Sequence, residues 1–235
     1  MLLRIMEKKY KLTEETKTWC GHTLHRIEAL KDFGNVKAGD KGGWIEKEEN
    51  LSQEGSAWVS GSACVIDSAY VSGSACVSGS AWVSGSARVT DSACVSGSAR
   101  VTCSAWVAGS ARVTGSARVT GSARVTDSAC VTGSACVTGS ARVSGLACVT
   151  GSACVSGLAC VTGSADCIVF KNWWSSGRYF TWTRSNNMWT AGCFYGTGEE
   201  LIKKAYADSE KSGREYERVV KYVESILADE EKNEE

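Results

Sequence analysis

From Gly55 to Ile168 the apolar and polar positions recur with a period of six, Gly-Ser-Ala-x-Val-(Ser/Thr), through nineteen consecutive units. Ala and Val stand two apart, and residues two apart in a strand point to the same side. The x position between them holds eight Cys, six Arg, three Trp, Tyr70 and Asp166. The uniform small pair therefore faces a narrow interior and x faces outward, because the reverse arrangement buries the six arginines. The Ser/Thr-Gly-Ser segment makes the corner, where Gly accepts a positive φ and hydroxyls satisfy turn backbone groups. Short faces with regular corners close into a triangular coil of three units. The pattern predicts an all-β solenoid, a parallel β-helix of about six coils stacked at about 4.8 Å.

Residues 1–54 read as an N-terminal capping segment over the first coil. Tyr10-Lys-Leu-Thr13 and Thr23 to Leu30 alternate like strands, Gly39 to Gly43 is a turn, and Trp44-Ile45 and Leu51 look like degenerate first units. Residues 55–168 are the repeat. Residues 169–198 change character. Three strands, Ile168–Trp174, Arg178–Ser185 and Met188–Phe194, predict a small antiparallel, aromatic-rich sheet. Residues 199–235 hold two helices and an acidic tail. Thr197-Gly-Glu-Glu200 and Ser212-Gly-Arg-Glu215 are capping boxes, and Tyr216, Val219, Val220, Val223, Ile226 and Leu227 follow helical spacing.

Composition narrows the functional classes. Lys plus Arg and Asp plus Glu both number 26, so bulk attraction to nucleic acid or membrane is not implied. There is no Pro, as central strands require. No apolar run reaches the length of a membrane span and no signal peptide is visible, so a cytoplasmic location is expected. Eight of the twelve Cys are x residues of the repeat, a setting unlike a small disulfide-rich domain.

The stretch "TLHRIEALKDFGNVKAGDKGGWIEKEENLSQEGSAWV", running into the A-x-V-(S/T)-G-S units, resembles uncharacterised bacterial hexapeptide-repeat proteins, some labelled acyltransferase-like. The resemblance covers residues 8–168. It implies the left hand of the β-helix. The stretch "FKNWWSSGRYFTWTRSNNMW…GCFYGTGEELIKKAYADS" resembles the tails of similar small proteins of bacterial genomes and prophages. Acyltransferases of this fold use a His as general base, often with an inserted loop. Here His22 and His25 precede the repeat, and residues 55–168 hold neither a His nor an insertion. The expectation is therefore a protein that is not an enzyme, with no cofactor.

Residues eighteen apart stack on one face. One face reads Tyr70, Arg88, Trp106, Arg124, Arg142, Cys160. A second reads Cys64, Trp82, Arg100, Arg118, Cys136, Cys154. The third reads Trp58, Cys76, Cys94, Arg112, Cys130, Cys148, Asp166. Arg88, Trp106 and Arg124 alternate cation and π face, either as a solvated face or as an anion-binding one. The stacked Cys cannot converge four sulfurs for tetrahedral zinc, so no metal is expected and they read as reduced apolar face residues. Such apolar faces call for cover by another subunit or by the terminal segments, and a homo-oligomer is expected.

A second cluster lies near the C-terminus: Lys171, Trp173, Arg178, Trp182 and Arg184. It serves as a mini-core on the last coil or as a pocket where Trp stacks on a base and Arg and Lys hold phosphate. The function expected from these residues is non-enzymatic binding of an anionic, nucleotide-like small ligand, in a prophage setting the sequestration of a host nucleotide signal. A self-assembling scaffold and an acyltransferase are the alternatives. An ice-binding solenoid needs outward Thr, and no x position carries one.

Overall fold

A computed structural model describes residues 7–234. The repeat forms a parallel β-solenoid of about seven turns. Eighteen two-residue rungs run from β4 (Trp58–Val59) to β21 (Cys160–Val161). They follow an antiparallel hairpin, β1 (Tyr10–Trp19) and β2 (His22–Ala29), and β3 (Lys41–Ile45). Every third rung pairs in parallel, giving three faces. The Ala and Val of the repeat from Ala57 to Val161 are buried, Val113 at 0% exposure, while Arg88, Arg100, Arg112 and Arg118 point out. Each coil bonds to the next through alternate amides, as Arg112 N to Ala129 O (2.9 Å) and Thr114 N to Val131 O (2.9 Å).

Trp44 and Ile45 are indeed the first rung of one face. β3 pairs in parallel with β5 (Cys64–Val65), with Trp44 opposite Cys64 and Ile45 opposite Val65. Leu51 bridges Val71 on the next face. The nineteenth unit behaves differently. Ser164–Asp166 forms a single 3-10 turn, and the Asp166 carboxylate accepts from Thr162 N (2.6 Å) and Gly163 N (2.9 Å). Asp166 therefore does not continue the Cys130–Cys148 ladder, because its short side chain serves the local turn.

The corners show why the repeat needs Gly. Gly115 has φ +69°, and a Cβ there would lie 2.8 Å from Gly133 O on the next coil. Asp67, Asp91 and Asp127 occupy the same kind of corner with φ +59°. Each offers compensation, since its carboxylate accepts from the corner amide one coil on: Gly85 N (2.9 Å), Gly109 N (3.1 Å) and Gly145 N (3.0 Å). Gly115→Ala is expected to cost about 1–3 kcal/mol. Gly115→Asp should cost less, because it gains that bond. Denaturant midpoints of the two variants provide the check, and an Asp variant weaker than Ala would refute the compensation.

Both ends of the solenoid are capped by side chains. At the first coil the Lys9 ammonium donates to Ala57 O (2.9 Å), the Tyr10 hydroxyl to Leu51 O (2.7 Å), and Asn50 Nδ2 to Ala69 O (2.8 Å). Burial lowers the Lys9 pKa from 10.5 to about 8, with the Lys31 charge adding. Burial raises Tyr10 well above its ordinary 10.0. Between pH about 8 and 10.5 the unfolded state then binds the Lys9 proton that the folded state has released. Thermal stability should rise with pH from about 8, then be opposed above about 10 as unfolded Tyr10 ionises. A Lys9→Met variant that still shows the full rise would disprove the assignment.

At the last coil, β22 (Cys167–Lys171), β23 (Tyr179–Thr183), β24 (Met188–Ala191) and β25 (Phe194–Gly196) form one antiparallel sheet. The fourth strand lies beyond the three predicted. The Thr face of this sheet meets the solenoid. Cys154 N donates to Thr181 Oγ1 (3.0 Å), Cys160 N to Ser185 Oγ (2.7 Å), and Ser156 pairs with Thr190 (2.9 Å). These hydroxyls replace a missing next coil. Phe180, Trp182 and Trp189 face the other way and pack with Leu201, Val220 and Val223 of α1 (Gly198–Asp208) and α2 (Glu210–Glu234). The Thr197 capping box opens α1 as predicted. α2 starts earlier than the Ser212 box implies, because Ser209 Oγ accepts from Ser212 N (3.1 Å). Among the described residues no helix is long and apolar enough to cross a membrane.

Candidate functional site

The β1–β2 hairpin folds back over one face of the solenoid. Leu24 packs on Cys64 and Ile66 beside Trp44 and Trp82, and Trp19 lies against Trp82 with ring centroids 5.9 Å apart. Apolar x residues at this end are thus covered within the chain. Trp58 is likewise enclosed by Tyr10 and Phe33. Fold-back also carries His22, at the start of β2, to the solenoid surface.

There His22 Nδ1 lies 3.0 Å from Glu46 Oε1, and Nε2 faces Asp67 Oδ1 at 3.6 Å. Both carboxylates are aimed by backbone amides. Asp67 N donates to Glu46 Oε2 (2.6 Å), and Gly85 N to Asp67 Oδ2 (2.9 Å). The hydrogen bond with Glu46 raises the His22 pKa, against partial burial, and the charges of Glu46 and Asp67 add to it. The same bond lowers the Glu46 carboxyl. The three residues stand within ligand reach of one another. Nδ1 is engaged by Glu46, while Nε2 stands nearer Asp67. The arrangement is that of an oriented imidazole. Glu46 holds one nitrogen, and the other stands 3.6 Å from a second acid, longer than a hydrogen bond.

His25 sits elsewhere, with Nδ1 3.4 Å from Thr13 O in the hairpin. Neither Glu46 nor Asp67 stands out in the sequence as a functional residue. The readable signal is Ile66-Asp67, which replaces (Ser/Thr)-Gly at a corner of the repeat.

The residues singled out in sequence fall into separate places. Trp106 lies in register between Arg88 and Arg124, as the eighteen-residue spacing requires. The Arg124 guanidinium stands 5.7 Å from the Trp106 ring, whose indole N–H donates to Thr90 Oγ1 (3.1 Å). The C-terminal set is divided. Trp182 is 1% exposed and its N–H is taken by Asn187 Oδ1 (2.8 Å), which corrects its placement among ligand-facing residues: it is core. Arg184 is ion-paired with Glu230 of α2. Lys171 lies over Tyr179 at 5.8 Å, Trp173 is 72% exposed, and Arg178 lines a small cleft with Cys193 and Tyr216. Arg178 precedes β23 and Arg184 follows it, so the two guanidiniums belong to opposite ends of that strand.

The stacked cysteines are free thiols in direct register. In the Cys136–Cys154 pair the contact between the thiols lowers Cys136 and raises Cys154, burial adding to the rise.

No protein-family model matches the chain. One similar protein is the uncharacterized acetyltransferase YdcK of Escherichia coli (strain K12), 38% identical over 60 residues. The match takes in 22% of this chain and 18% of that protein's length. It overturns the expectation of a protein that is not an enzyme. That expectation rested on the absence of His from the repeat, whereas the hairpin brings His22 to the solenoid surface from outside the repeat.

Proposed function

We propose that the protein is an acyl-transfer enzyme with His22 as its general base. The observation that carries this reading is the Glu46–His22 pair, 3.0 Å apart, with the far ring nitrogen free of a close hydrogen bond. An amine or hydroxyl of the acceptor gives its proton to Nε2 and attacks the carbonyl of an acyl thioester. Asp67 and Glu46 stabilise the imidazolium that results, and the departing thiolate takes the proton back. A named acetyltransferase among similar proteins supports the same chemistry.

The donor is the anionic, aromatic ligand that the Arg and Trp residues favour. Beyond the hairpin the same face continues as Arg100 and Arg118, in direct register with one another and with the hairpin-covered Trp82. These guanidiniums offer forked donors to the phosphates of a thioester with a nucleotide handle.

The test is release of free thiol from acetyl-coenzyme A by the full chain, with panels of amine and hydroxyl acceptors. Turnover that disappears in His22→Gln is the expected result. Turnover indifferent to that substitution places the base elsewhere, and silence with every acceptor removes acyl transfer.

A further inference from the structure

The parallel ladder sets three pairs of cysteines side by side: Cys76 with Cys94, Cys130 with Cys148, and Cys136 with Cys154. All six are free, and none is fully buried. Side chains in register on neighbouring parallel strands leave the sheet in the same direction, about 4.8 Å apart. That spacing is too wide for a relaxed disulfide, whose Cβ atoms sit about 3.8 Å apart. It suits a different bridge. A zinc–thiolate bond is about 2.3 Å and bonds to other thiophilic ions are of the same order, so a linear S–metal–S unit spans roughly 4–5 Å. Thiolates select soft ions such as Cu(I), which accept two ligands in line.

Charge points the same way. Two thiolates around a monovalent cation carry one net negative charge. Arg112 is in register with Cys94 on one side and with Cys130 on the other, and Arg118 is in register with Cys136. Each cysteine pair therefore has a guanidinium on the adjoining rung. Arginine ion pairs among the described residues involve Arg26, Arg184, Arg214 and Arg218, which leaves Arg112 and Arg118 without a carboxylate. Unpaired guanidiniums beside paired thiols are the electrostatic complement of a monoanionic complex.

We propose that the three cysteine pairs are two-coordinate sites for a thiophilic monovalent cation of the Cu(I) class, with Arg112 and Arg118 as counter-charges. On loading, two S–H bonds break, two S–metal bonds form and two protons pass to solvent, with no change of oxidation state. The pairs on one face are separated by Arg112, and Cys136 and Cys154 lie on another face, so each site stands alone.

The experiment uses the reduced full chain without oxygen, titrated with Cu(I) or Ag(I) against a competing chelator and probed by iodoacetamide with mass spectrometry. Three equivalents, one for each in-register pair, should resist the chelator. Loading should abolish alkylation of the six paired thiols and leave the isolated, exposed Cys20, Cys103 and Cys193 reactive. X-ray absorption should give a shell of two sulfurs with no nitrogen or oxygen neighbour. Joint Cys136→Ser and Cys154→Ser substitution should remove one equivalent. Arg118→Ala, which keeps every thiol, should weaken that site by roughly fivefold. The inference is overturned if protection tracks the exposure of each thiol, if the metal gathers three or four sulfurs, or if the serine variant retains all equivalents while its circular dichroism shows an intact solenoid.

Discussion

Val113→Asp is expected to prevent folding or to cost several kcal/mol, while Arg112→Ser, one residue away, stays within about 0.5 kcal/mol of the parent. Val113 is fully buried and sits between Val95 and Val131 on neighbouring coils. An aspartate there meets only methyl groups, with no donor and no counter-charge. It cannot rotate out, because Arg112 N and Thr114 N are both committed to the next coil at 2.9 Å. Arg112 is exposed and has no ion pair to lose. Guanidinium unfolding followed by circular dichroism separates the two. Equal tolerance would mean that the inside and outside of the ladder had been exchanged.

The solenoid was legible because one rule, small residues two apart around a variable one, is repeated at every rung. That alternation determines direction without any knowledge of neighbours. It even reached Trp44-Ile45, whose sequence departs from the unit but keeps its alternation. The rule fails where a side chain's partner is not local. Asp166 occupies an x position by spacing, yet its carboxylate is used by Thr162 and Gly163. On β23 the alternation separates Thr181 from Trp182 correctly. It does not say which face meets the solenoid. Open amides at Cys154 and Cys160 decide that in favour of hydroxyls, and the indoles turn to the helices.

The candidate site was the least legible part. His22, Glu46 and Asp67 are far apart in sequence, and no shared motif links them. They meet because Leu24 and Trp19 find apolar cover on Cys64 and Trp82, which are themselves x residues. The apolar outer face therefore has a consequence beyond solubility: it draws the hairpin down and with it the imidazole.

Acyl transfer should rise with pH through the titration of His22, with a midpoint above that of an ordinary imidazole, and should fall by about a hundred- to ten-thousand-fold in His22→Gln. The base must be neutral to accept a proton. The Glu46 hydrogen bond favours the charged ring, so the active form appears later on the pH scale. Glu46→Gln should move the midpoint down towards the ordinary value and lower the plateau, since the ring loses both its orientation and part of its basicity. The same linkage acts on the fold. A raised imidazole pKa stabilises the folded hairpin below the unfolded value, and that contribution is lost as pH rises through the folded one. Catalysis and anchoring thus change in opposite senses over one titration. The protection of the Trp19–His22 tip against hydrogen exchange, taken relative to the intrinsic base-catalysed rate at each pH, should fall over the same pH interval in which turnover climbs. A tip whose protection ignores that interval, or a rate that falls as His22 loses its proton, would remove His22 from the role of base.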